Sequence, residues 1–363
     1  MNTYAEINLK AIKENILAIK NLLASNVKFM AVVKANAYGH GAVAVARAAV
    51  EAGAEYLSVA NLKEALELRA AGILAPILIL TESPTSVVDE IIEYDLTQTT
   101  YSVAEAKALS DEAQKRNKIA KVHVKIDTGM GRVGVLPSEA LAFITKIASL
   151  DGLSIEGVFT HFALAEEPQD TFTTAQFEKF KQVIEKLGHI PLKHAANSAA
   201  VLHHSQTQLD MVRVGLMMYG LYPQGNGRGL VNLKPALSFK SRVSYVKKIP
   251  AGTPVSYGST YVARSETNLV TVPVGYADGY SRRLSNKGQV IIRGKRFPVV
   301  GLVTMDLIMV DVGQNQVAVG DEVVLIGEQG GQLISADEVA KQADTISYEV
   351  ITGIGKRVAR VYR

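Results

Sequence analysis

Residues 29–71 read FMAVVKANAYGHGAVAVARAAVEAGAEYLSVANLKEALELRAA. An apolar run at 29–36 is followed by helical spacing over 42–52, a second apolar run at 55–61, and helical spacing again over 61–71. Strand-like runs that alternate with helical patterns mark βα units, whose strands lie parallel in one sheet. Outward from this stretch the alternation continues. Apolar, β-branched runs recur at 76–81, 96–101, 120–127, 155–162, 192–198 and 211–219, with helical spacing at 103–116, 138–149 and 173–187. Eight such runs in one α/β stretch predict a (β/α)8 TIM-type barrel, with an open doubly wound sheet as the alternative.

After Tyr222 the texture changes. The glycine-rich stretch PQGNGRG (223–229) reads as a connector, and beyond it short alternating or Val-rich runs follow at 237–249, 268–276, 289–303, 307–312 and 322–326. Only 336–343 looks helical, so a second, mostly β domain is expected. The run at 3–9 precedes the first barrel helix and could return to join that domain. The expected division is 10–230 for the barrel that carries the site, and 231–363 with 1–9 for the β-rich part.

Composition narrows the classes. The 363 residues are 48% hydrophobic and 20% charged, enough for packed cores and unlike a disordered or low-complexity chain. Cysteine is absent, which removes disulfides, thiolate metal sites and cysteine nucleophiles. The histidines, at 40, 123, 161, 189, 194, 203 and 204, show no metal-ligand spacing, so no metal is expected. The net charge is +4 with the signs interleaved, and the densest basic pieces are Arg282-Arg283 and Arg293, Lys295 and Arg296. Such short clusters fit a solvated face, and no nucleic-acid partner is expected. The opening MNTYAEINLKAIKEN has no signal-peptide core, and the longest apolar stretches, such as 77–80 and 216–218, are too short to span a bilayer. A soluble, cytoplasmic protein without a membrane partner is the expectation.

Two motifs bear on chemistry. GMGRVG (129–134) matches G-x-G-x-x-G, but a dinucleotide fingerprint needs its glycines to open a helix. Here the next helix signal is Pro137-Ser-Glu, and the run before the motif is the fifth, so the motif reads as a turn that presents Arg132. Lys34 lies near the end of the first run. A lysine in a buried parallel strand is costly unless its charge is lost or paired, and the same burial lets the amine form an imine. By itself it reads as a strand-end lysine reaching solvent, as His161 alone would read as a core histidine and Arg213 alone as a salt-bridged arginine. Together the odds change. Asp127 with Arg132, His161, Asn197, Ser198, Arg213 and Gly215 all fall at or just after the C-terminal ends of predicted strands. Barrel enzymes build their sites on that face and commonly bind phosphate after strands seven and eight. A lysine beside such a cradle suits pyridoxal 5′-phosphate, which has an aldehyde for the amine and a phosphate for the cradle.

From near residue 3 to the C-terminus an ordered set of motifs resembles bacterial alanine racemases. They are AVVKANAYGHG (31–41), KIDTGMGRVG (125–134), THF (160–162), ANS (196–198), VRVGLMMYG (212–220), VSYGSTY (255–261), GYADGY (275–280), TMD (304–306) and ISYEV (346–350). The resemblance implies a PLP-dependent isomerase that interconverts L- and D-alanine for peptidoglycan precursors. It implies that Lys34 holds the cofactor through an imine, and that Tyr38, Ser198, Gly215, Leu216 and Tyr348 surround the phosphate. His161 and Asn197 would support the ring, Arg213 would face the pyridine nitrogen, and Arg132 would reach the phenolic oxygen and the substrate carboxylate. A carbamylated Lys125 would orient that arginine. Tyr257 would be the second base, supplied with Met305 and Asp306 by the other subunit of a homodimer, and Tyr276 would line the entrance.

These residue types suit the reaction. Racemisation needs a base on each face of the α-carbon, which an amine and a phenol provide. An arginine at the pyridine nitrogen disfavours its protonation and so suppresses transamination. The sequence departs from the commonest family pattern in one place: Gly-Arg-Val-Cys-Met-Asp-Gln becomes GLVTMDL at 301–307, and the missing arginine belongs to the entrance. The alternatives are a broader amino-acid racemase or a barrel-type PLP decarboxylase. Against the decarboxylase stand Arg213 and the absence of cysteine in the second domain.

Overall fold

The computed structural model describes residues 2–223 and 227–363, so residues 224–226 of the glycine-rich connector lie outside the described residues. The chain divides into two compact units, Ala11–Ala37 with Ala42–Lys234, and Met1–Lys10 with Tyr38–Gly41 and Pro235–Arg363.

Strand β1 (Tyr4–Ile7) belongs to the second unit. The first unit is built on eight parallel strands: β2 (Lys28–Val32), β3 (Tyr56–Val59), β4 (Ile77–Ile79), β5 (Thr97–Thr100), β6 (Ala120–Lys125), β7 (Leu153–Phe159), β8 (Leu192–His194) and β9 (Met211–Val214). Their order is β8-β7-β6-β5-β4-β3-β2-β9. Backbone hydrogen bonds from Asp210 N to Lys193 O (3.1 Å) and from Arg213 N to Ala196 O (3.0 Å) link the last pair, so the sheet closes on itself. Most of these strands are buried on both faces and read as apolar runs, but β5 is Thr-Gln-Thr-Thr, polar in sequence and buried all the same. Helices between them bury one stripe each; in Leu9–Lys20, Ile12, Ile16 and Ile19 form it. This is the (β/α)8 barrel that the alternation predicts.

One predicted strand is too long. The run at 29–36 stops pairing after Val32, because Ala35, Asn36, Ala37 and Tyr38 all adopt left-handed conformations, with φ between 51° and 54°. Non-glycine residues rarely do this, at about 1–2 kcal/mol each. The turn is held from outside: Ala35 N donates to Glu64 Oε1 (2.7 Å), and Ala42 N to Asn36 Oδ1 (2.8 Å). No local sequence signal announces such a turn, since its stability comes from distant partners.

In the second unit β1 pairs in parallel with β20 (Ala359–Tyr362) and antiparallel with β10 (Leu237–Arg242), so the run at 3–9 does return to this part of the chain. The predicted run 237–249 is two strands, Leu237–Arg242 and Tyr245–Ile249, and 289–303 is a hairpin of Gln289–Ile292 and Lys295–Val300 turning at Arg293-Gly294. The helix Ser347–Thr352 and strand β20 have no counterpart in the sequence reading. Among the described residues no helix is long and apolar enough to cross a membrane.

Candidate active site

At the C-terminal ends of the barrel strands the first unit gathers an unusual set of bases. Arg213, on β9, is 4% exposed. Its Nη2 donates to Thr160 O (2.7 Å) and Ala195 O (2.9 Å) and lies 3.3 Å from His161 Nδ1, while Nη1 lies 2.8 Å from His194 Nδ1. None of these partners is a carboxylate, and Arg213 makes no ion pair among the described residues. Burial first, and the nearby Arg132 second, lower its pKa to about 9, so it remains a cation at neutral pH. The Nε–H has no protein acceptor among the described residues.

A guanidinium can only donate, which fixes the protons behind it. His194 Nδ1 must accept from Arg213, so its proton sits on Nε2 and points to His123 Nδ1, 2.9 Å away. His123 therefore carries its proton on Nε2, which is buried with no partner. Burial, and after it the charge of Arg213, holds both imidazoles neutral: His194 lies well below the usual range and His123 is pushed to about 3. The two rings come from β6 and β8, on either side of β7. They meet because Gly157 of β7 stands opposite His123, where a Cβ would lie 2.8 Å from its ring. Neither histidine stood out in the sequence. The signal that could have found them is the period-two register of His123 with Lys125, both fully inside the strand.

Lys125 is 3% exposed and donates to Ile126 O (2.9 Å). Its amine lies 5.7 Å from the Phe159 ring, which stacks on His194 at 4.8 Å. Burial, then Arg213, bring its pKa down to about 7, with Asp127 opposing and Arg132 adding to the decrease. Asp127 does not pair with it directly. The Asp127 Oδ1 accepts from the backbone N–H groups of Gly129 (3.0 Å), Met130 (2.8 Å) and Gly131 (3.1 Å). That web folds GMGRVG into a loop returning to β6, with Asp127 N donating to Val135 O (2.9 Å), and leaves Arg132 exposed at its tip. Gly134, at φ 128°, is required: a Cβ there would lie 2.8 Å from Asp127 N. The next helix starts only at Ala140, so the motif opens no helix and has no dinucleotide geometry.

Lys34 follows β2 and is half-buried. Its amine has no hydrogen bond or ion pair among the described residues. Burial, and next Arg132, lower its pKa, against the opposing charge of Glu64. Glu64 is itself fixed by the N–H groups of Ala35 and Ala60, each at 2.7 Å. Across the barrel mouth Gly215 N donates to the buried Ser198 Oγ (3.0 Å), Leu216 opens a short 3-10 turn, and Asn197 Oδ1 caps the helix Ser198–His203 by accepting from Ala200 N (3.0 Å).

The remaining candidates lie in the second unit. Tyr38 and Tyr348 stand with ring centroids 6.1 Å apart, and burial pushes the Tyr38 phenol up to about 12. The glycines of AYGHG serve close approach here: a Cβ on Gly39 would lie 2.2 Å from Ile351 O. Tyr257 is 73% exposed on a short hairpin, and Tyr276 and Met305 are exposed too. Asp306 is engaged by Arg357 (2.7 Å), which also grips Asp278 through Nε (2.7 Å).

The groups present fit pyridoxal 5′-phosphate: a half-buried amine with no hydrogen bond among the described residues, a guanidinium with an uncommitted donor, and the Ser198 hydroxyl near the last two barrel strands. Among the described residues no cluster could hold a metal ion.

Comparison with known proteins agrees. The model of the alanine racemase N-terminal domain matches residues 7–223, and that of the alanine racemase C-terminal domain matches 236–362. An alanine racemase of Halothermothrix orenii is 49% identical over 99% of this chain and 97% of its own length. The solved alanine racemase of Clostridium difficile 630 superposes with a TM-score of 0.96 at 40% identity, covering 100% of this chain and 96% of the other. That of Bartonella henselae, solved with covalently bound pyridoxal phosphate, gives 0.90 at 31% identity with both chains covered in full. Family models and relatives agree: the chain belongs to the alanine racemase family.

Proposed function

We propose that this chain interconverts L- and D-alanine with pyridoxal 5′-phosphate, by two bases that act on opposite faces of the α-carbon. The observation that carries the reading is Lys34, an amine at a barrel strand end whose pKa burial lowers and which no protein group engages among the described residues. When bound, the cofactor supplies the electron-accepting ring that acidifies the α-hydrogen. Lys34 Nζ takes or returns the proton on one face, and the phenol of Tyr257, from the partner subunit of a homodimer, does so on the other.

Arg213 would hold the ring nitrogen through its Nε–H, which has no protein acceptor among the described residues. Arg213 stays a cation at neutral pH and is a far weaker acid than a pyridinium, so it would leave that nitrogen hydrogen-bonded but unprotonated. This favours racemisation over transamination, and it weighs against the decarboxylase reading, which wants an acidic partner there. Ser198, Gly215, Leu216, Tyr38 and Tyr348 take the phosphate, with His161 and Asn197 behind them. Arg132 takes the substrate carboxylate, and Met305 and Asp306 complete the substrate site. Lys125 is carbamylated: burial and Arg213 favour its neutral amine, which adds carbon dioxide and releases a proton, and the resulting anion relieves the repulsion among Lys125, Arg132 and Arg213. D-alanine so made serves peptidoglycan synthesis in the cytoplasm.

Purified protein loaded with the cofactor should be yellow, and borohydride should fix the cofactor on a single peptide containing Lys34. A colourless protein that does not racemise alanine after cofactor addition would overturn the reading.

A further inference from the structure

The turn that carries Tyr257 is held by side chains rather than by its sheet. Its hairpin pairs Pro254–Val255 with Tyr261–Val262 and continues through Ala263 N to Thr253 O (2.9 Å) and Gly252 N to Ala263 O (2.8 Å), while Ser256, Gly258 and Ser259 at its tip have φ of 66°, 68° and 48°. The ladder stops at Val255 and Tyr261, so it does not by itself fix a tip in which Ser256 and Ser259 are left-handed. The adjoining segment 301–303 lies beyond the end of Lys295–Val300 and has no strand partner either. Its polar backbone groups are taken one after another by side chains. Gly301 N donates to Asn286 Oδ1 (2.6 Å), Ser256 Oγ donates to Leu302 O (2.7 Å), and Val303 N donates to Ser285 Oγ (3.0 Å). The other end of the Asn286 amide, Nδ2, donates to Thr260 Oγ1 (3.0 Å). The two segments lie directly on one another: a Cβ on Gly301 would be 2.6 Å from Ser256 Cβ. Asn286 has φ 57°, a conformation that asparagine tolerates better than most residues.

We propose that Asn286 is a positioning residue for racemisation, its amide clamping the Tyr257 turn to the segment that leads into Met305, so that phenol and thioether reach the substrate as one rigid piece. The inference rests on Tyr257 being the second base. The clamp grips only the backbone of 301–303, so it is indifferent to the leucine at 302 that departs from the family pattern.

The test uses the cofactor-loaded enzyme in deuterated water. Asn286→Gly removes the amide while suiting the positive φ. Asn286→Asp keeps an acceptor for Gly301 N and lets the Thr260 hydroxyl turn round to donate. Deuterium uptake into L- and D-alanine is measured separately, together with backbone hydrogen exchange of 256–261 and 301–303, with Tyr257→Phe as reference. Asn286→Gly should speed exchange in both segments and slow uptake into L-alanine about tenfold, with uptake into D-alanine held within about twofold. Asn286→Asp should restore both readouts. Equal loss from the two enantiomers, unchanged backbone exchange, or no recovery with aspartate would overturn the clamp. If Tyr257→Phe separates the enantiomers and Asn286→Gly does not, the clamp alone falls. If Tyr257→Phe separates nothing, the second base and the clamp fall together.

Discussion

The barrel mouth and the Tyr257 turn prepare their groups by opposite means. In the barrel, Lys125 and Arg213 are almost dry, at 3% and 4% exposure, and behind them lie two neutral histidines. Their basicity is set by desolvation and by one another. Tyr257 is 73% exposed, and its turn is defined by hydrogen bonds to backbone. A group that must face a narrow cofactor site can be adjusted by burial. A group that stays on the surface can have only its position built in.

The comparison is most severely tested at the two bases. Lys34→Ala should abolish racemisation in both directions, a loss of roughly 10³-fold or more, and leave no peptide that borohydride can label. Activity that survives without an added amine would remove Lys34 from the mechanism. Tyr257→Phe should break the symmetry instead. Deuterium uptake starting from L-alanine should fall by roughly 10²–10⁴, whereas uptake starting from D-alanine persists.

Within the barrel the effects grow smaller. Lys125→Ala should lower activity by roughly 10–100-fold by releasing Arg132, with partial recovery in acetate, which supplies a small carboxylate to the vacated space. An unmodified Lys125 by mass spectrometry under carbon dioxide trapping, with no rescue, would count against carbamylation. His123→Leu should cost about 1–3 kcal/mol in denaturant unfolding, since His194 Nε2–H then points at an apolar group. It should also alter acid stability. His123 stays neutral in the fold down to about pH 3 but takes a proton near 6.5 once unfolded. Between those values the unfolded chain binds more protons, so wild-type stability declines as pH falls from about 6.5, and the leucine variant should show a slope shallower by about one proton.

Much of this was legible in the chain itself. Strands buried on both faces are mostly apolar and helices carry a stripe, so the βα alternation exposes the barrel, and Lys34 at a strand end is conspicuous because an amine there is costly. The motifs supplied the family. Other features left no such trace. His123 looked like any strand residue, since its partner lies 71 positions away and meets it only because a glycine stands between them. Asn286 lay in an ordinary Ser-Asn-Lys-Gly turn, with nothing to indicate that it grips Gly301 and Thr260.

What the sequence determined by itself, then, was whatever local periodicity and residue cost encode: eight βα units, a β-rich remainder, and the chemical types at the strand ends. Tertiary structure alone decided the left-handed turn at 35–38, the commitment of Asp127 to its own loop, the proton positions behind Arg213 and the bracing of the Tyr257 turn. Each of these depends on which donor meets which acceptor across the fold. A strained or buried group takes its conformation and charge from those distant partners, and not from its neighbours along the chain.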